Sequence, residues 1–411
     1  MTRRAAPMLA VTAALSLGVV AGCATVGQQS APPERGPASV VPRPVEPTVE
    51  PIVVDVALGA GPHRGVIAGG RLWIVDAARA VAIDPALDAA GCDVTACVDG
   101  VTGAVAELWG RAWASGSDGA LGWWDPTAPG RQELVATPLL GRDPVAAAGR
   151  VWVLDTAAGV VRSLAGERGE VAGVAVEVAI GRSETAVLAG DGEMLWVVRT
   201  AEAAAVAVDP VRGVATAPID LTGGDPAASA QWPVVRGGLL HVVVSTGDAA
   251  RLATVAPDGV AAEAPVPPVD AVLEAAGDDV VLTVGGFAAL TSDAPFDRPG
   301  IHRVTTPSRS PGGRIDGLTS DDPGAEPPRP LGDGWFLSAE PATHGGLLHV
   351  DDDGRVTEHL ASGVGGDGRN GDVLAAGTLE GRPWLLVSAG GGGDGGGGTG
   401  DGAELRWFRT P

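Results

Sequence analysis

Acidic side chains recur along this chain at a nearly regular step. Asp76, Asp118 and Asp155 are followed by Arg199, Asp248, the pair Asp297-Arg298 and His344. The step is roughly 40 to 50 residues, the length of one supersecondary unit in a repeat protein. If each unit carries its residue to the same place, a mostly acidic ring results, able to hold a cation, a sugar or a basic peptide. The plainer reading is that each ends a loop that meets water.

Other chemistries find little support. The six histidines, His63, His241, His302, His344, His349 and His359, form no His-x-x-x-His pair and no metalloprotease motif. Gly366-Asp367-Gly368-Arg369-Asn370-Gly371 spells a dinucleotide fingerprint, but no strand precedes it and no helix can follow it, so it reads as a turn. Asp351-Asp352-Asp353-Gly354 resembles part of a calcium loop without the closing glutamate, Leu360 falling near that place. No Gly-x-Ser-x-Gly elbow is present. No catalytic residue, metal or cofactor is expected. Of three cysteines, Cys92 and Cys97 are close enough to close a small disulfide loop, and a zinc site there would lack two ligands.

The elements that must position these residues are short strands. Gly70-Arg71-Leu72-Trp73-Ile74-Val75-Asp76 returns as Gly149-Arg150-Val151-Trp152-Val153-Leu154-Asp155, with a degraded copy at Gly110-Arg111-Ala112-Trp113-Ala114-Ser115-Gly116. Neighbouring side chains of a strand face opposite ways, so a strand apolar at every position must be covered on both faces. Amphipathic helices could supply that cover, but the connections are short and glycine-rich. Sheets stacked face to face around an axis supply it instead. The first unit reads as strands at Val66-Ile67-Ala68, Leu72–Asp76 and Ala80–Ile83, separated by a Gly69-Gly70 turn and ended by Asp84-Pro85. Anchor positions then fall at Trp73, Trp113, Trp152, Trp196, His241, Leu282, Phe336 and Leu385 beside Trp384. His241 is read as a core substitute for tryptophan. The prediction is an all-β fold, a single β-propeller of about eight four-stranded blades over 51–411, with seven as the alternative. Ile52–Val56 is expected to pair in the last blade and close the ring.

Ahead of it, residues 1–22 read as an export signal, with Arg3 and Arg4 before an apolar run from Met8 to Val20 that is too short to span a bilayer. The run ends at Val20-Ala21-Gly22-Cys23, which resembles the bacterial lipobox and implies lipidation at Cys23. Residues 23–50 are a proline-rich tether with polyproline character. The formal net charge of −22 argues against nucleic acid as a partner. The expected protein is monomeric and extracytoplasmic, held to the cell membrane by lipid.

The Gly-Arg-Leu-Trp-Ile-Val-Asp repeats and the turns at Asp84-Pro85, Asp125-Pro126 and Asp209-Pro210 are similar to those of bacterial extracytoplasmic propellers of the YVTN, NHL and quinoprotein-like group. That resemblance implies a fold and a range of roles: binding scaffolds, assembly-factor lipoproteins and a few enzymes. A quinoprotein dehydrogenase would add pyrroloquinoline quinone, calcium and a vicinal disulfide, whereas Cys92 and Cys97 are not adjacent. Lyase-like relatives offer no catalytic residues that match positions here. The expectation is a non-catalytic scaffold for a protein, glycan or lipid partner, with a lyase or a sugar or alcohol dehydrogenase as the alternative. The ligand-face candidates are Asp76, Asp118, Asp155, Arg199, Asp248, Arg298 and His344.

Overall fold

The computed structural model describes residues 52–57, 63–76, 78–84, 89–90, 95–164, 174–247 and 249–266, and then the segments 271–276, 279–284, 300–303, 329–337, 346–350, 356–361, 373–379, 381–388 and 402–408. Every regular element among them is a strand. The signal and tether segments, Cys23, Cys92, the glycine-rich 390–401 and the motifs at 351–354 and 366–371 lie outside the described residues.

The described strands form eight sheets, each a meander in which consecutive strands pair antiparallel. Sheet 1 runs Arg64–Ala68, Arg71–Val75, Arg79–Asp84 and Ala96–Asp99. Its outer edge is extended by Gly130–Glu133, a strand lent in parallel by the next unit. Sheet 2 holds Val101–Leu108, Arg111–Gly116, Ala120–Trp124 and Val135–Leu140; sheet 3 holds Arg142–Ala147, Arg150–Asp155, Val160–Leu164 and Val174–Ala179. Sheet 4 begins Ala186–Gly190, Leu195–Arg199 and Ala204–Asp209, and sheet 5 is Ser229–Arg236, Leu239–Thr246, Ala249–Ala256 and Gly259–Val266. Sheet 6 shows three strands, from Ala271–Ala276 to Gly300–Arg303, and sheet 7 four, from Arg329–Gly332 to Val356–Ala361. In sheet 8, Val373–Leu379, Arg382–Ser388 and Gly402–Trp407 are completed by Ile52–Ala57, which pairs antiparallel with the last strand from Ile52↔Trp407 to Ala57↔Gly402.

The second strands are covered on both faces, as their composition demands. Leu72 and Ile74 pack with Trp384, Leu386, Leu405 and Trp407 of sheet 8. Trp73 and Val75 face the other way, onto Ala112, Ala114 and Trp124 of sheet 2. The same division repeats: Trp113 meets Val151 and Val153, Trp152 meets Leu195 and Val197, and Trp196 meets Leu240, Val242 and Val244. Each core cluster therefore belongs to two successive sheets, and the tryptophan points forward into the next one. Trp73, Trp113 and Trp152 also return their indole N–H to the carbonyls of Ala68, Leu108 and Ala147, each at 3.2 Å, so the bulky ring buries no unpaired donor.

Three anchor assignments shift by one residue. Trp384 has the register of Trp73, two residues past the start of its strand, and faces sheet 1; Leu385 faces back onto sheet 7. In sheet 7 the forward-facing aromatic is Trp335, not Phe336. Leu282 packs backward with Val280 onto Leu252 of sheet 5.

From sheet 2 to sheet 8 the first strands of successive sheets pack against one another in order, and the first strand of sheet 8 packs against that of sheet 1, while the first strand of sheet 2 meets the second and third strands of sheet 1. These strands therefore lie innermost.

Candidate functional site

Of the predicted ligand-face residues, Asp76, Asp118, Asp155 and Arg199 occupy equivalent places, in or beside the hairpin that joins the second strand to the third. What they do there is local. The Asp76 carboxylate is buried and accepts the backbone N–H groups of Ala78 and Arg79 at 2.7 and 2.8 Å. Asp118, exposed, accepts the N–H of Ala120. Asp155 accepts the N–H of Ala158 with one oxygen, and its other oxygen pairs with Arg162 at 2.6 Å, which pairs in turn with Glu177 at 2.7 Å. Aspartate favours such turns because its short carboxylate can reach backbone donors two or three residues on. Asp125 and Asp209 do the same at their Asp-Pro turns. Arg199 gives an amino group to the carbonyl of Ile180, while its Nε is buried without a hydrogen-bond partner. Asp248, Arg298 and His344 lie outside the described residues.

This end of the sheets is stitched. The chain leaving each of sheets 1 to 4 for the next donates a backbone N–H to the hairpin it passes: Gly100 to Ala78, Gly141 to Gly119, Ile180 to Gly159 and Leu221 to Ala203. Arg251 binds the Leu221 carbonyl as Arg199 binds that of Ile180. The Ile180 and Leu221 peptides thus tie one sheet to the next.

A second group of residues sits on the innermost strands. In sheet 3, Asp143-Pro144 stand where the partner strand offers one residue, between the pairs Arg142↔Leu154 and Val145↔Trp152. In sheet 5, Trp232-Pro233 do the same between Gln231↔Val243 and Val234↔His241. These are equivalent β-bulges at equivalent heights, and both bulged residues are left-handed, with φ of 54°. Glycine usually serves there, and a residue before proline is normally extended; an aspartate or tryptophan costs about 1 kcal/mol or more. Trp232 is 48% exposed. Asp143 is half-buried, 3.7 Å from the Arg142 guanidinium. Burial pushes its carboxyl above the ordinary range, opposed by Arg142 and by Arg64 of sheet 1.

Among solved structures, the Dos1 propeller is similar over 88% of this chain and 95% of its own, with a TM-score of 0.52 and 8% identity. The fold is a β-propeller. BamB from Moraxella catarrhalis covers 87% of this chain and 98% of its own at 13% identity and TM-score 0.47, and the dihydro-heme d1 dehydrogenase NirN covers 80% and 81% at 12% and 0.45. No protein-family model and no curated protein matches the sequence.

In a propeller the innermost strands surround the axis. Strand Ser229–Arg236 has one edge paired to Leu239–Thr246 and packs against the first strands of the sheets before and after it, and Trp232 stands exposed in mid-strand. Sequence reasoning missed this group. Its signal was present as two X-Pro pairs, Asp143-Pro144 and Trp232-Pro233, in first-strand positions. Elsewhere Asp-Pro marks a turn, and nothing in the sequence separates the two uses.

His241 also bears on function. It is wholly buried at the tryptophan register of sheet 5, its Nδ1 lies 3.2 Å from the Thr254 hydroxyl, and burial lowers its pKa to about 4. A neutral, enclosed imidazole fills core space. Among the described residues no three His, Cys, Asp or Glu side chains gather to hold a metal.

Proposed function

We propose that this protein is a lipid-anchored, non-catalytic propeller of the cell envelope, a rigid scaffold that binds a protein, glycan or lipid partner. The observation that carries the reading is the use of the strand-ending carboxylates. Asp76 and Asp155, with the right spacing for a shared centre, are spent on their own hairpins and on Arg79 and Arg162. Such hairpins present a fixed surface to a partner and leave no poised acid or base among themselves. Eight blades and a closed ring belong to the same proposal. Their support is the pairing of Ile52–Ala57 in the last sheet and the core cluster shared by sheets 8 and 1. A Cys92–Cys97 disulfide is included, since Cys97 carries no free thiol.

The anchor rests on Cys23 and the tether behind it. Fractionation of cells expressing the full chain tests it: Cys23→Ser is expected to move the protein from the membrane to the soluble fraction, and unchanged membrane retention rejects the anchor. The binding-only part is tested by dye reduction with added quinone and calcium. Turnover that Asp155→Ala abolishes would overturn it.

A further inference from the structure

The axial group was not needed for the scaffold reading and has a composition of its own. Trp232 exposes an indole in the middle of an innermost strand, on a bulge shared in geometry with Asp143. The same left-handed backbone sets both residues at the bulge of their strands, where Trp232 is exposed beside an exposed Gln231 and Asp143 beside an exposed Arg142. Arg142 is held by its amino group to the carbonyls of Glu184 and Ala186, which fixes its guanidinium beside Asp143. Arg64 is exposed on the innermost strand of sheet 1, and its charge is felt at Asp143 of sheet 3. Equivalent register sets Trp232 of sheet 5 and Asp143 of sheet 3 at one height on their innermost strands, with Arg142 and Arg64 at the matching place just before it, along one stretch of the propeller axis.

We propose that this stretch is a saccharide site, with Trp232 stacking on a pyranose ring and Asp143, Arg142 and Arg64 hydrogen-bonding its hydroxyls. The chemistry excludes the main competitors. A nucleic acid meets a chain of net charge −22. A purely apolar ligand would strip water from the Asp143–Arg142 pair and offer its polar atoms no hydrogen bond in return. A sugar offers C–H bonds to the indole face and both donors and acceptors to the carboxylate and guanidinium groups. The backbone strain at Trp232 fits a site better than a packing role, because a side chain left half exposed regains only part of it through burial.

This inference deepens the glycan branch of the scaffold reading and rests on it. The test is calorimetric titration of the full chain with glucose, N-acetylglucosamine, glucuronate, maltose and chitobiose, the sugar being followed by proton NMR in the same samples. At least one is expected to bind saturably with millimolar affinity or better; Trp232→Ala should weaken it about tenfold or more and Asp143→Asn several-fold. Trp232→Gly should also lose binding while its thermal midpoint holds or rises, an outcome that a structural role for the indole would not give. Absence of binding to all five sugars, or binding unchanged by Trp232→Ala, overturns the site and leaves the scaffold reading to the tests above. A sugar that binds and is chemically converted keeps the site but overturns the non-catalytic reading.

Discussion

Single side chains in this protein divide by whether their polar atoms are matched. His241 is the clearest case of a mismatch that proton uptake will exploit. Its Nε2 is buried without a hydrogen-bond partner, and protonation would place a charge between two sheets. The unfolded chain takes up a proton near pH 6.5 and the folded one near 4, so the unfolded state binds more protons between those values. Stability is therefore full above pH 6.5 and falls as pH drops toward 4, by roughly 3 kcal/mol in all. His241→Phe keeps the volume and removes the titration. Chemical denaturation from pH 7 to pH 4 should show a fall in stability for the natural chain that is smaller by that amount in the variant; parallel curves would mean that the imidazole is protonated in the fold. Asp155 is the opposite case, with both carboxylate oxygens matched. Asp155→Ala should cost about 1–3 kcal/mol, because it leaves Arg162 with Glu177 alone and frees a hairpin N–H. A loss well under 1 kcal/mol would show that solvent replaces the ion pair at no cost.

At the level of strands and hairpins, stability comes from contacts that cross between sheets. Gly238, in the first hairpin of sheet 5, is held from sheet 4 on both sides of its peptide unit: its N–H goes to Asp191 at 2.7 Å and its carbonyl accepts from the Trp196 indole at 3.1 Å. Asp191 also caps its own hairpin through the N–H groups of Glu193 and Met194. Asp191→Ala removes all three bonds, and a loss of about 1–3 kcal/mol in urea denaturation is expected. Asp191→Asn should recover part of it, since an amide oxygen accepts as well; equal losses would mean that the bonds to Gly238 and the hairpin add nothing net. This level also shows what the sequence could reveal. Strands apolar at every position identified the stacked sheets and the core role of tryptophan, because only double coverage satisfies such a strand. The same property hid the facing of the later strands. Where both faces are apolar, a shift of one residue leaves the pattern unchanged, and Leu282, Phe336 and Leu385 were each assigned to the wrong face. Turn aspartates such as Asp76 were visible by position but not by use, since a carboxylate that caps a hairpin and one that binds a ligand have the same spacing. The bulges at Asp143 and Trp232 break the glycine rule for left-handed backbone, so residue type gave no sign of them.

Across the whole molecule, the reading of a closed ring depends on one junction, where the last sheet meets the first. Gly65, in the innermost strand of sheet 1, lies against the Trp384 ring of sheet 8: a Cβ on Gly65 would stand 2.1 Å from Cη2 and 2.3 Å from Cζ2 of that indole. Gly377, in the hairpin partner of Trp384's own strand, is nearly as tight, with a Cβ 2.9 Å from Cζ2. The indole is thus seated between two glycines from different sheets, separated by some 300 residues of chain. Nothing local to residue 65 requires glycine, whose backbone there is an ordinary strand paired with Ile74. Gly65→Ala should therefore be close to neutral in an open array of sheets and should cost about 1–3 kcal/mol in a closed one, through overpacking against a buried ring. Trp384→Leu is destabilising by itself, because it empties part of the cluster shared with Leu72 and Ile74. The double variant separates the possibilities. In a closed ring the smaller leucine relieves the clash, so the two losses fall short of additivity by about 1 kcal/mol or more; independent losses that add would place Gly65 and Trp384 out of contact and open the ring.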